Sequence, residues 1–259
     1  MARQDGGGEA RQHRCRGDQE SQRPRGIGTA SHGRNENYPA YGPRAANRRG
    51  VIWYPAMSPP SLILGSTSRY RAELLERLGV PFLQEAPDFD ERALDDRFET
   101  VSAPEFALMI ARGKADSILR PGGDRWLLCA DQVGVLEGDD GARTMLTKQE
   151  TPERCVDQLL RLSGRTHRLV NGIVLVSEAT GERLEATDEQ VLTMRPFGRD
   201  EAETYVERFA PLDSAGGYRI EDAGIRLFDR IQSDDFTGII GLPLLATARL
   251  LRQAGLLVP

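Results

Sequence analysis

The sequence predicts an α/β fold built around a mixed sheet. Three observations carry that prediction. From residue 61 onward, strand-like and helix-like runs alternate. The helix-like runs bring their own start signals, clearest at Thr151-Pro152. A short apolar run, Leu62-Ile63-Leu64, stops at the small-residue turn Gly65-Ser66-Thr67-Ser68 and gives way at once to a helical pattern.

In chain order, Ser61–Gly65 reads as a buried strand, Tyr70–Leu78 as a helix through Leu74, Leu75 and Leu78, and Phe82–Ala86 as a second strand. Pro104–Leu119 reads as a helix. Phe106, Met109, Ile110 and Gly113 recur at i, i+3, i+4 and i+7 and mark its buried face. Lys114 falls at the edge of that face, where its stem can pack while its ammonium reaches a cleft. Trp126–Ala130 is strand-like. Pro152–Leu162 is helical, capped by Thr151 with proline at the first helical position. Leu169–Val176 and Glu189–Met194 are strands, Asp200–Phe209 a helix, Gly224–Ile231 a strand and Leu244–Ala254 a helix with Pro243 expected at its first position. No internal repeat interrupts the pattern.

Residues 1–56 differ. They are rich in Gly, Arg, Gln, Asn and Ser, with ten arginines against five acids and few aliphatic residues. Such a composition buries too little apolar surface to offset chain entropy, so a disordered arm is expected, with the folded domain at 57–259. "MSPPSLILG" from Met57 also reads as a start of its own, which would make the arm an over-extended gene model. A third reading is a basic nucleic-acid tether, although no RGG repeat and little aromatic interleaving occur.

Composition limits the rest. At 39% hydrophobic and 28% charged the chain reads as globular. A net charge of -5 gives no overall attraction for nucleic acid. The apolar runs fall well short of the ~20 residues of a membrane span, and no apolar segment follows the basic start, so a cytoplasmic protein without membrane contact is expected. Cys15, Cys129 and Cys155 are too few and too scattered for a disulfide framework or zinc site. Of 34 basic residues only Lys114 and Lys148 are lysines. Where this sequence writes Arg for a surface cation, a retained Lys suggests a compact point charge that a planar guanidinium replaces poorly.

Four stretches could carry chemistry. In "GSTSRYR", Ser66 and Ser68 hydroxyls and backbone N–H groups at a strand-to-helix turn form an anion cradle, and Arg69 and Arg71 add donors for phosphate oxygens. Cations are otherwise unfavourable at a helix N-terminus; an ordinary capping serine beside solvated arginines is the alternative. The turn is not a Walker A loop, since no G-x-x-x-x-G-K-[ST] occurs. In "WLLCADQVGVLEGDD", residues 126–140, a buried-type strand ends at Asp131 amid apolar neighbours. A carboxylate there calls for a partner or a metal, or serves as a general base; a hydrogen-bonded structural aspartate is the alternative. "APDFDER", residues 86–92, offers Asp88, Asp90 and Glu91 as oxygen ligands or as a solvated acidic loop. In "LDSAGGYRIEDAG", residues 212–224, the glycines permit close backbone approach, Tyr218 stacks or packs, and Glu221, on an expected strand, either accepts two parallel hydrogen bonds from a guanine-like edge or is simply exposed. His167, alone outside the arm, reads as a structural hydrogen-bonder; no G-x-S-x-G elbow accompanies it.

In this order the segments resemble the Maf, or septum-formation-inhibitor-like, family. The resemblance runs over about residues 61–256 through "GSTSRYRAELLERLG", Asp90-Glu91, Lys114-Ala115, "ADQV", "TKQ", "LSGRTH", "AGGY" and "IIGLPLLATARLL". It implies a mixed twisted sheet flanked by helices, with an active-site cleft between two lobes as in Maf and ITPase-like folds. It also implies nucleoside triphosphate pyrophosphatase activity, in which metal-assisted water attacks the α-phosphate and releases a monophosphate and pyrophosphate.

By the same resemblance, Ser66, Ser68 and Arg71 bind substrate, and Asp131, Glu91, Lys114 and Lys148 are catalytic. Asp131 is the proton acceptor, and Glu91 and Asp131 hold Mg²⁺ or Mn²⁺. Tyr70, Gln132 and Glu221 resemble the 7-methyl-GTP pyrophosphatase branch rather than the pyrimidine-hydrolysing one. Arg69, Thr147 and Gln149 depart from the usual proline, glycine and proline, which puts the reach of Lys148 in question. dTTP/UTP hydrolysis, or a nucleotide-binding regulator of cell division with little turnover, are the alternative expectations. Family members are often homodimers.

Overall fold

The computed structural model describes residues 45–46, 52–53 and 61–257. Within the expected arm, β1 (Ala45–Ala46) and β2 (Ile52–Trp53) form a two-residue antiparallel ladder that composition did not predict. The rest of the arm lies outside the described residues.

The main sheet has seven strands: β3 (Leu62–Gly65), β4 (Leu83–Glu85), β5 (Trp126–Glu137), β6 (Arg143–Leu146), β7 (Thr166–Ser177), β8 (Arg183–Met194) and β9 (Phe228–Gln232). Their order is β4-β3-β5-β7-β8-β9, with β6 also on β5. β3 runs parallel to β4 and β5; the other pairs are antiparallel. The predicted mixed sheet is therefore present.

Alternation along the central strands feeds different cores. Leu127, Cys129, Val174 and Val176 face α2 (Ala103–Ile118), while Leu128, Ala130, Ile173 and Leu175 pack with α1 (Arg69–Glu76) and α6 (Leu244–Gln253). At the other end of the same strands, Leu136, Leu169 and Leu192 pack against α3 (Pro152–Leu162) and α4 (Arg199–Phe209). The long strands thus carry separate cores on their two faces and toward their two ends.

Several expectations change. Asp131 does not end a strand; β5 continues through it to Glu137, because Val133, Val135 and Leu136 are buried as deeply as the residues before it. Gly224–Ile231 begins as a 3-10 turn, Gly224–Leu227, and becomes β9 only at Phe228. Glu221 stands in a turn, not on a strand. Pro243 is the N-cap of α6 rather than its first residue. The strand β6 and the single turn α5 (Thr237–Ile240) were not anticipated.

The buried face of α2 is also rotated from the expected one. Phe106 and Ile110 are buried as expected, but Ala107, Ala111, Lys114 and Ala115 join them inside, while Met109 is only half-buried and Gly113 meets the Phe89 ring. Small side chains bring α2 close to the sheet. At Gly172 the approach is closest: a Cβ there would overlap the α2 backbone at Ala107 and Leu108. Gly172 is also the register partner of Asp131.

Candidate active site

A cleft of about 1460 Å³ opens beside these strands. All ten residues that the family resemblance places in the site line it: Ser66, Ser68, Tyr70, Arg71, Glu91, Lys114, Asp131, Gln132, Lys148 and Glu221. Of the other two acids of "APDFDER", Asp88 does not line the cleft; Asp90 does, and it caps the 3-10 helix Glu91–Arg97 by accepting from the Arg92 amide.

The entry turn after β3 is built by its serines. Ser66 Oγ accepts from the Ser68 amide at 3.1 Å, and Ser68 Oγ caps α1 by accepting from the Arg71 amide at 3.4 Å. These two N–H groups are therefore spent inside the turn. The hydroxyl protons remain as donors to an anion, which alters the expected cradle of free amides. Gln84 fastens the turn from β4, donating to the Ser66 carbonyl at 2.7 Å. Arg71 is oriented from its inner side, with Nε donating to the Gly241 carbonyl at 2.9 Å.

Lys114 is the centre of the site. It projects from the buried face of α2, and its Nζ lies 2.6 Å from Asp131 Oδ1 and 2.8 Å from Glu91 Oε1. The side chains of Lys114 and Asp131 are 8% and 9% exposed, whereas Glu91 is half exposed. A buried Asp131 is tolerable because the ammonium compensates it. Burial pushes the Glu91 carboxyl up, but the charge and hydrogen bond of Lys114, with Arg71 and Lys148 further off, outweigh it and hold the group below its ordinary range.

Lys148 stands exposed in the loop between β6 and α3. The turn around it, in doubt from the sequence, is secured by amides. Gln149 Nε2 donates to the Thr147 carbonyl at 2.9 Å and to Gln158 Oε1 at 2.9 Å, and Gln158 Nε2 donates to the Ala215 carbonyl at 2.7 Å. Gln149 thus supplies by hydrogen bonding the fixity a proline would supply covalently.

At the other end of the cleft, the Tyr70 hydroxyl accepts from Arg69 at 2.7 Å and from Arg219 at 3.2 Å. The Arg69 guanidinium also covers the Tyr70 ring at 4.6 Å. Glu221 is exposed in the neighbouring loop. Gln132 lines the cleft, but its amide nitrogen is engaged by the Gly238 carbonyl at 2.6 Å and the Ile239 carbonyl at 3.2 Å.

Tyr218 packs rather than stacks on a ligand; its hydroxyl lies 2.7 Å from His167 Nε2. Burial pulls His167 down to about 4, so the ring is neutral and structural, as its sequence context suggested.

Three further cations line the cleft that the sequence did not single out, Arg92, Arg154 and Arg219. Arg154 sits in the first turn of α3, the same unfavourable placement that drew attention to Arg71, so that signal could have found it. Arg219 lay inside the quoted 212–224 loop and bridges Asp213 at 3.0 Å and Asp222 at 2.8 Å.

Among the described residues no three His, Cys, Asp or Glu side chains gather as a closed metal cage. Two carboxylates converging on an open cleft do fit a hard cation that draws its remaining ligands from water and phosphate oxygens, as Mg²⁺ does. No helix among the described residues is long and apolar enough to cross a membrane.

Residues 61–254 match the family model described as "Maf-like protein". The chain is similar to the 7-methyl-GTP pyrophosphatase of Xanthomonas campestris pv. campestris, 41% identical over 77% of this chain and 99% of that one. It is also similar to those of Bdellovibrio bacteriovorus, 36% identical over 77% of this chain and 100% of that one, and Hahella chejuensis, 35% identical over 77% and 96%. With the model matching well over half its length, and relatives above a third identical covered almost end to end, the chain belongs to the Maf-like protein family.

Proposed function

We propose that the chain is a nucleoside triphosphate pyrophosphatase that hydrolyses 7-methyl-GTP to the monophosphate and pyrophosphate in the cytoplasm. The observation that carries this reading is the meeting of Lys114 with Asp131 and Glu91 in a cleft also lined by Ser66, Ser68, Arg71 and Lys148. The names of the relatives support the substrate class.

In this reading Arg71 and Lys148 bind the phosphates, Lys148 as a mobile point charge and Arg71 as a fixed fork. The Ser66 and Ser68 hydroxyls donate to phosphate oxygens. Lys114 neutralises charge that develops during attack at the α-phosphate. Asp131 takes the proton of the attacking water. Its Oδ1 is held by Lys114, which leaves Oδ2 for the water. Glu91 and Asp131 would hold Mg²⁺ or Mn²⁺, which supplies further charge neutralisation at the phosphates.

The base falls to Tyr70 and Glu221. N7-methylation makes guanine cationic, which favours an aromatic face and a carboxylate. A second reading, a neutral keto base as in dTTP or UTP, is favoured by the two guanidinium groups at the Tyr70 hydroxyl, which suit an acceptor edge.

Pyrophosphate release from a panel of 7-methyl-GTP, GTP, dTTP and UTP with Mg²⁺ or Mn²⁺ separates the two. The highest kcat/KM is expected for 7-methyl-GTP; a preference for dTTP or UTP overturns the base assignment. Asp131→Asn tests the remaining alternative, because a non-catalytic regulator of division would keep its cellular effect in that variant.

A further inference from the structure

The single turn α5 walls the cleft through Ile239 and Ile240 and ends at Gly241, whose carbonyl holds Arg71 Nε. It is fastened from the cleft by Gln132 and from outside it by Asn171 and Asp235. The Gly238 carbonyl accepts from Asn171 Nδ2 at 3.1 Å as well as from Gln132 at 2.6 Å. Asn171 is completely buried, and its Nδ2 also donates to Gln190 Oε1 at 3.0 Å, so two acceptors fix its orientation. Asp235, 7% exposed, accepts from the Thr237 amide at 3.0 Å, the Thr237 hydroxyl at 2.5 Å and the Leu245 amide at 2.6 Å. It thereby ties the start of α5 to the start of α6. Gly241, at φ 124°, turns the chain in a way that only glycine adopts readily.

Neither Asn171 nor Asp235 lines the cleft. Asn171 leaves its Oδ1 buried without a partner among the described residues. An apolar side chain of that size would avoid this cost, so packing alone does not account for the amide. What the amide does secure is the position of the Gly238 carbonyl, and with it the turn that presents the Gly241 carbonyl to Arg71.

We infer that Asn171 and Asp235 are positioning residues for Arg71. They set α5, and α5 sets the guanidinium, so that its two terminal nitrogens meet a phosphate without first being ordered. The inference rests on the proposed role of Arg71 as a phosphate ligand.

The test is a double-mutant cycle on the full chain, with Arg71→Ala, Asn171→Ala, Asp235→Asn and each double with Arg71→Ala. KM for 7-methyl-GTP and the inhibition constant of inorganic tripolyphosphate are measured, with Tm alongside. Arg71→Ala and Asn171→Ala are each expected to weaken tripolyphosphate about tenfold or more, for the loss of one charge-assisted phosphate contact and of its orientation. Each double should be no weaker than Arg71→Ala alone, within about twofold. Multiplicative losses would overturn the inference, since a general structural role lowers Tm and activity whether or not Arg71 is present. Where Asn171→Ala is too unstable to assay, Asp235→Asn carries the cycle. Unchanged tripolyphosphate binding in Arg71→Ala would remove the phosphate role of Arg71, and the inference with it. That result is distinct from an additive cycle, which removes the inference alone.

Discussion

Replacing Lys114 by Met leaves the stem in place and deletes the charge between two carboxylates. Asp131 is 9% exposed and sits 2.6 Å from the lost ammonium, so at neutral pH it becomes an uncompensated buried anion. Breaking such a pair costs about 3–5 kcal/mol. Glu91 adds at most about 1 kcal/mol, because it is half exposed and screened by water. With a urea slope of about 2–3 kcal/mol/M, a loss of about 3–6 kcal/mol moves the unfolding midpoint down by about 1–3 M. The pH dependence carries the sign. In the wild type the Glu91 carboxyl is held low by Lys114, so its stabilisation is present above its unfolded value, about 4.3, and fades as pH falls through the lower folded one. In the variant Glu91 loses that support, so this share of the pH dependence disappears. The wild-type advantage should therefore be largest near pH 8 and shrink below about pH 5. Urea titrations at pH 8, 6 and 4.5 measure this. A gap that is absent, or that does not change with pH, would refute the account of Lys114 as the counter-charge of the site.

Asp131→Asn should lower kcat by at least 100-fold while KM changes less than threefold, since a general base contributes about 10²–10⁴ in rate and Oδ1 can still accept from Lys114; steady-state pyrophosphate release checks both. Asp188 is pushed up to about 6 by burial and by the neighbouring charges of Asp235 and Asp234. Its charged form costs stability as pH rises from about 4 through 6, so Asp188→Asn should stabilise the protein at pH 8 by about 1 kcal/mol after screening is allowed for, with no gain at pH 4, as read by thermal melts. Gly172→Ala should cost about 1–3 kcal/mol, the usual range for overpacking, because its Cβ meets α2 backbone rather than a movable side chain. It should also lower kcat by lifting Lys114 from Asp131.

Much of this was legible in the sequence because local rules and tertiary needs agreed. Thr151-Pro152 starts α3 where capping chemistry says it must, and the β3–α1 turn is where small residues end an apolar run. The carboxylate of Asp131 and the rarity of lysine both pointed to the cleft. What was not legible depends on partners distant in sequence. The strand β6 has no apolar alternation of its own; it exists because Gly134 gives Leu146 room on β5. The turn α5 is held by Gln132 and Asn171, more than 60 residues away. On α2, Phe106 and Ile110 are inside as their period indicates, but that period continues equally well through Met109 and Gly113 as through Ala107, Ala111 and Lys114. Only the sheet, through Gly172, selects the face carrying Ala107 and Lys114.

Asp131 lies in the middle of a twelve-residue strand bonded to β7 along nearly its whole length. Its carboxylate is thus anchored on a continuously paired strand, whereas Glu91 rides a 3-10 turn and Lys148 an exposed loop. Adjustment to a nucleotide must therefore come from the rim moving toward a stationary base. Amide exchange should slow at 91–97 and 147–150 when substrate analogue binds, with 128–133 already slow in its absence.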